Sequence, residues 1–160
     1  GLIGFQGEFL RITRGTGLMS HVFDDFAPMK EDVPARRSGV LISAEAGTAV
    51  AYALWKLQER GRMFVTPGEK IYEGMVIGIH SRENDLVVNP AKTKQLTNVR
   101  ASGKDDAILL TPPVELTLES AVEFIDDDEL VEVTPQSIRI RKRALKESDR
   151  RRAARTGDAA

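Results

Sequence analysis

The sequence contains no cysteine. Disulfides, zinc–thiolate sites and cysteine nucleophiles are therefore excluded. Its two histidines, His21 and His80, give no basis for a His-rich metal site. No apolar run reaches even half of the ~20 residues that a bilayer-spanning helix needs. No Gly-x-x-x-x-Gly-Lys-Ser/Thr phosphate loop, strand-linked Gly-x-Gly-x-x-Gly or Gly-x-Ser-x-Gly nucleophile elbow is present. Gly15-Thr16-Gly17 is too short to count and follows a helical pattern instead of preceding one. Neither histidine is paired in sequence with an acid and a nucleophile, and His80, at the end of an apolar strand, reads as a structural hydrogen-bonding residue. An enzyme active site lying wholly within these residues is not expected. There is no initiator methionine and no secretory pattern, and Gly1 sits inside an apolar stretch. The expectation is a piece of a longer, cytosolic protein.

What is present is enough for a core: 160 residues, 41% hydrophobic and 29% charged. The net charge of −1 hides an asymmetry. From Glu115 to Glu132 there are eight acids and no base, and from Arg139 to Arg155 nine bases against Glu147 and Asp149. A third region, 92–104, carries Lys92, Lys94, Arg100 and Lys104 with no acid between them. Such segregation points either to a polyanionic partner or to mutual neutralisation of the two blocks on one surface.

Periodicity gives an α+β chain in two parts. Leu2, Phe5, Phe9 and Ile12 share one helical face, which Gly15 and Gly17 end, and 18–26 reads as a strand. Pro28 and Pro34 mark a boundary. A strand over 40–42 follows. Thr48 then precedes a helix whose Val50, Ala53, Leu54 and Leu57 form a stripe, ended by Gly61. Residues 63–65, 71–80 (bent or bulged at Gly74 and Gly78), 86–88 and 108–110 read as strands. Thr117 caps a helix with Leu118, Ala121, Val122 and Ile125 inward. Residues 130–133 and 138–140 form a hairpin across Pro135. The segment from Leu145 reads as a basic helix or a frayed tail.

Residues 89–106 carry no apolar period and are long for a connection, a length that is commonly functional or disordered. Lys92, Lys94, Arg100 and Lys104 are candidate phosphate contacts there. Thr97, Asn98 and Ser102 can reach riboses and base edges, alongside Thr93 and Gln95. The stretch has no aromatic residue, so it does not indicate base stacking and instead favours recognition of shape and backbone in folded RNA. Arg139, Arg141 and Arg143 alternate with Ile138 and Ile140, so one strand face carries guanidiniums at about 6.6 Å spacing, which suits a phosphodiester backbone. The competing reading is a solvated, acid-paired face. Asp126-Asp127-Asp128-Glu129 follows a helix C-terminus, where the macrodipole disfavours anions. It lacks the glycine turn and ligand spacing of a calcium loop, so pairing with Arg139 or Arg141 is the expected compensation.

Longer strings carry a resemblance. They are Gly1-Leu2-Ile3-Gly4-Phe5, Thr13-Arg14-Gly15-Thr16-Gly17, His21-Val22-Phe23-Asp24, Arg37-Ser38-Gly39-Val40-Leu41-Ile42-Ser43 and Tyr72 through Arg82. Asn84-Asp85-Leu86, Lys94 through Gly103, Phe124 through Pro135 and Ile138 through Arg143 continue them. Across essentially the whole chain these resemble the BipA/TypA family of translational GTPases, relatives of elongation factor G. Arg11 and Phe26 depart from it, where a threonine and a tyrosine are frequent. The resemblance implies that 1–28 closes a ferredoxin-like domain equivalent to domain V of elongation factor G. It makes 29–37 a linker and 38–144 a β-rich family-specific C-terminal domain with two or three helices and a long basic loop, and leaves 145–160 as a basic helix or disordered tail. It further implies binding to the ribosome, at large-subunit rRNA and the acceptor end of A-site tRNA, with roles in ribosome assembly and stress-adapted translation in the cytoplasm. GTP hydrolysis, with GTP and magnesium, would belong to the parent protein, and neither membrane nor DNA is an implied partner. The alternative is a protein-interaction module that binds ribosomal proteins or its own GTPase domains.

Overall fold

The computed structural model describes residues 5–26, 28, 36, 38–92 and 109–157. Helix α1 (Phe5–Ile12) ends as expected, with Gly15 at φ +79° and the Gly17 amide donating to the Thr13 hydroxyl (3.0 Å). Residues 18–26, expected as a strand, form none. No strand among the described residues lies beside them, Leu18 and Val22 are exposed, and an extended segment without a ladder has nothing to join.

From residue 40 the chain builds one sheet. Its strands are β1 (Val40–Ser43), β3 (Gly61–Met63), β5 (Met75–His80), β6 (Leu86–Val88), β7 (Glu129–Val133) and β8 (Ile138–Lys142). Their order is β6-β1-β5-β8-β7, with β3 also paired to β5. One edge of β5 is shared: Met75 and Val76 pair with Arg141 and Ile140 of β8, while Gly78 to His80 pair with β3. β2 (Gly47–Thr48) and β4 (Lys70–Ile71) make a separate two-stranded ladder.

Every residue of β1 is buried because both faces of the sheet are covered. Leu41, Met75 and Ile77 point to one face and pack with Leu54 of helix α2 (Ala51–Leu57), together with Ala49 and Val65. Val40, Ile42, Val76 and Ile140 point to the other face and pack with Ala121 of helix α3 (Leu118–Phe124). Phe64 and Phe124 meet edge-on there, with ring centroids 5.4 Å apart. Helix α4 (Glu147–Gly157) follows β8.

Several expectations are corrected. Thr48 does not cap α2; it lies in β2, and Val50 occupies the N-cap without a side-chain bond. Gly61 opens β3, which stops at Met63, so 63–65 is not a strand of its own. The 71–80 run divides at Gly74, which takes φ +82°. A Cβ there would lie 2.6 Å from the Leu145 backbone, so only glycine admits both this turn and the chain entering α4. The expected bulge is present as a register shift between Leu41 and Ile42, opposite Gly78 and Val76. Leu109 and Leu110 join no strand. Val122 is exposed, and the inner side of α3 is instead made by Ala121, with Phe124 and Ile125 packed beside it.

Candidate nucleic-acid interface

The long basic segment leaves and re-enters the domain at the two ends of α2. On the outgoing side Pro90 is fully buried, and its carbonyl accepts from the Val50 amide (3.0 Å). On the return side the Gln58 side-chain amide donates to the Leu109 carbonyl (3.2 Å), and its oxygen accepts from the Thr111 amide (3.1 Å). Leu110 then packs on the core, and the Val114 amide reaches the Met63 carbonyl (2.8 Å). The two anchor residues, Val50 and Gln58, are thus separated by about 12 Å along the helix axis, the rise of eight helical residues. Lys92 is exposed on the first stem. Lys94, Thr97, Asn98, Arg100, Ser102 and Lys104 lie outside the described residues.

The β8 arginines take the alternating arrangement expected of them, with a different neighbourhood. Arg139 and Arg141 are half-buried on the face opposite Ile138 and Ile140, and Arg143 is exposed just beyond the strand. Arg139 lies opposite Glu132 in the ladder, and Glu132 accepts from the Tyr72 hydroxyl (2.6 Å). Burial raises the Tyr72 pKa, and the bond to Glu132 raises it further; the charges of Arg141 and Arg139 oppose this. The Arg143 guanidinium donates to the Asp127 carbonyl (3.2 Å).

The acidic run is not compensated by Arg139 or Arg141. Its partners are Lys142 and Arg36, which the sequence reading had not singled out. Lys142 follows Ile138 and Ile140 in the alternation, so it points inward, and it is only 2% exposed. Its ammonium lies 2.6 Å from Asp85, 2.9 Å from Asp128 and 2.9 Å from Glu129. Glu129, itself 2% exposed, also takes a bidentate fork from Arg36 at 2.7 and 2.9 Å. The same guanidinium lies over the Phe124 ring, 4.6 Å from its centroid, and donates to the Ser38 carbonyl (2.6 Å). Burial alone would lower the Lys142 pKa, but bonds to Asp128, Asp85 and Glu129 outweigh it and the pKa rises. Arg36 is raised by the same balance, with Glu129 as the opposing partner. In strand order β5 and β1 lie between β8 and β6, so the Lys142–Asp85 contact joins segments that the ladder itself does not pair. The open cleft over this cluster, about 330 Å³, is lined mainly by acids (Glu83, Asp85, Asp126, Asp127, Asp128) and so repels phosphate.

α4 carries Arg150, Arg151, Arg152 and Arg155. Arg150 turns back to the Ala144 carbonyl (2.9 Å) and to that of Leu145, and Arg151 pairs with Glu147 one turn earlier. His80 is buried, with Nδ1 2.5 Å from the Asn84 carbonyl, the structural hydrogen-bonding role expected of it. Among the described residues no group of three or more His, Asp or Glu could hold a metal ion, and no helix is long and apolar enough to cross a membrane.

Comparison with known proteins places this geometry. The family model of the TypA/BipA C-terminal domain matches residues 38–147. Large ribosomal subunit assembly factor BipA of Haemophilus influenzae is 58% identical over 157 residues, 98% of this chain and 26% of the relative. The protein of the same name from Escherichia coli K12 is 58% identical over 156 residues, 97% of this chain and 26% of the relative. That of Buchnera aphidicola subsp. Schizaphis graminum is 55% identical over 155 residues, 96% of this chain and 26% of the relative. The chain thus spans about a quarter of the length of these curated relatives.

Proposed function

This chain belongs to the TypA/BipA family, and we propose that it is the ribosome-binding region of a factor acting in large-subunit assembly, contacting RNA through the basic segment between Lys92 and Lys104. The relatives named as large ribosomal subunit assembly factors support the ribosomal role. The observation that supports the RNA contact is the anchoring of both described stems on α2, which ties the two ends of the segment whose sequence carries the four bases to a rigid support. Preorganised stems reduce the ordering entropy that a bound loop must lose. Lys92, Lys94, Arg100 and Lys104 take phosphates of large-subunit rRNA and the acceptor end of A-site tRNA, while Thr97, Asn98 and Ser102 set the register. Arg143 extends the basic surface, and Arg139 and Arg141 are secondary contacts because they are half-buried near Glu132. Residues 1–28 are the end of a preceding domain, 29–37 a linker, and α4 an accessory basic helix. Stress-adapted translation in the cytoplasm is the setting.

GTP and magnesium are assigned to the parent protein. The binding proposed here uses this chain's own basic residues, and no step of it runs through GTP or magnesium.

The test is binding to ribosomes and large subunits, with and without A-site tRNA, over a salt series. Four phosphate contacts contribute about −3 to −4 to the slope of log affinity against log salt, at roughly −0.9 for each. Changing Lys92, Lys94, Arg100 and Lys104 together to Ala removes that contribution and leaves folding stability within about 0.5 kcal/mol of wild type. Equal binding and equal slope for both proteins would move the function to another face.

A further inference from the structure

The basic segment holds no aromatic residue, yet the element that anchors it does. Tyr52 and Trp55 lie one turn apart on α2, with ring centroids 6.2 Å apart and planes inclined by 31°. Lys56 completes the group, with Nζ 4.7 Å from the Tyr52 centroid. The buried residues of α2 are Ala53 and Leu54. Trp55, the only tryptophan of the chain, is 41% exposed. An indole in that position adds less to the core than burial would give, and its exposed part offers aromatic surface on which a base can stack. Arg60 follows Lys56 by four residues and adds positive charge, and Glu59 is the one acid in the sequence 51–60. Both described stems of the basic segment bind the ends of this helix, so RNA that meets Lys92 lies close to α2.

We propose that Tyr52, Trp55 and Lys56 form a platform on which an unpaired RNA base stacks, beside the backbone contacts of the basic segment. The proposal rests on the RNA-binding reading above and deepens it. The lysines and the arginine of the basic segment hold phosphates whatever the sequence, and the indole selects RNA whose bases are unstacked. A single-stranded acceptor end or a splayed loop meets that requirement, and a continuous A-form duplex does not.

Because Trp55 is the only tryptophan, its own emission reports the event. The chain is titrated with a U-rich single-stranded RNA and with a blunt A-form duplex of equal phosphate count at one salt concentration. Saturable quenching by the single strand, absent with the duplex, is expected. Trp55→Leu, followed by anisotropy of labelled RNA, is expected to weaken single-strand binding by about 5- to 150-fold, the effect of truncating a stacked aromatic. Trp55→Phe should recover most of the affinity, and duplex binding should change in neither variant. The four-alanine variant of the basic segment separates the two claims, since it weakens binding of both RNAs. If it does so while Trp55→Leu changes nothing, the platform is refuted and the RNA-binding reading stands. If neither RNA binds wild type, or the four-alanine variant binds as wild type does, the RNA-binding reading itself fails. If Trp55→Leu weakens ribosome binding but leaves free RNA binding unchanged, the platform meets a protein and the proposal is overturned.

Discussion

The ion cluster beneath Asp126-Asp127-Asp128-Glu129 makes a prediction about rank order. Glu129 and Lys142 are equally buried and 2.9 Å apart, so a contact count would make their removal equivalent. Their other partners differ. Without Glu129, the Arg36 guanidinium, whose side chain is 9% exposed, keeps carbonyl oxygens, the Phe124 ring and the more distant charges of Asp85 and Asp126; Lys142 keeps Asp85 and Asp128. Removing one partner of a buried pair costs about 3–5 kcal/mol because a charge is left uncompensated. The remaining contacts reduce this, and Glu129→Gln should cost about 2–4 kcal/mol. Without Lys142, Glu129 keeps its fork from Arg36, while the Asp85 and Asp128 side chains are 35% and 61% exposed and regain water. Lys142→Met also keeps an apolar stem in the same space, so it should cost about 0–2 kcal/mol. Urea unfolding followed by far-ultraviolet circular dichroism separates these values. A Lys142→Met variant as destabilised as Glu129→Gln, or more so, would refute the claim that Glu129 is the hub. A double variant that is strictly additive would refute the coupling between them.

The raised Lys142 pKa sets a pH dependence. Its contribution to stability is complete below the unfolded lysine value of about 10.4 and is lost as pH rises through the higher folded value. The wild-type unfolding midpoint should therefore fall more steeply above about pH 10.4 than that of Lys142→Met. Gly74→Ala should cost about 2–4 kcal/mol in the same urea assay, because it adds a left-handed backbone penalty to a clash with Leu145. Limited proteolysis of that variant should release α4 before the sheet is cut. Thr117→Ala should cost about 0.5–2 kcal/mol, since the Thr117 side chain accepts from the Ser120 amide while the Ser120 hydroxyl accepts from the Thr117 amide. Restoration by Ser at 117 distinguishes the cap from side-chain packing.

The parts of the fold legible in the sequence are those whose determinants are local. The stripe of Ala53, Leu54 and Leu57, the cap at Thr117, the glycine bend at 74 and the hairpin over Thr134–Ser137 all depend on neighbours within a turn or two. The errors come from tertiary choices. Leu109 and Leu110 have the composition of a strand, but Leu110 serves as a plug under α2 and Gln58 binds the backbone on either side of it. Thr48 suits a helix cap, but pairing with Lys70 takes it into β2. At the charged cluster, residues far apart in sequence meet through tertiary packing, so Asp85 and Arg36 could not be linked to Glu129 from spacing. One local clue did exist. Period-two alternation puts Lys142 on the same face as Ile138 and Ile140, and a lysine at an inward position requires buried acids near it. Followed one residue further, the alternation already named the inward base.

The same distinction decides which charges are left for the proposed RNA contact. The tail holds nine bases between 139 and 155, but composition does not make them nine phosphate contacts. Lys142 is held by Asp85, Asp128 and Glu129, Arg150 bonds the carbonyls ahead of α4, and Arg151 pairs with Glu147. Arg139 and Arg141 lie beside Glu132 and Tyr72. A base already paired releases little on meeting a phosphate, because one partner is exchanged for another. On the described stem of the basic segment the balance is reversed. Lys92 is exposed, no acid falls between Lys92 and Lys104 in sequence, and the nearby α2 surface offers Trp55 and Lys56. Negative charge is gathered at the cleft near Asp126–Asp128, where Lys142 and Arg36 answer only part of it. On the RNA-binding reading proposed above, the acidic cleft repels a polyanion, which then meets the domain from the side of Lys92 and Lys56.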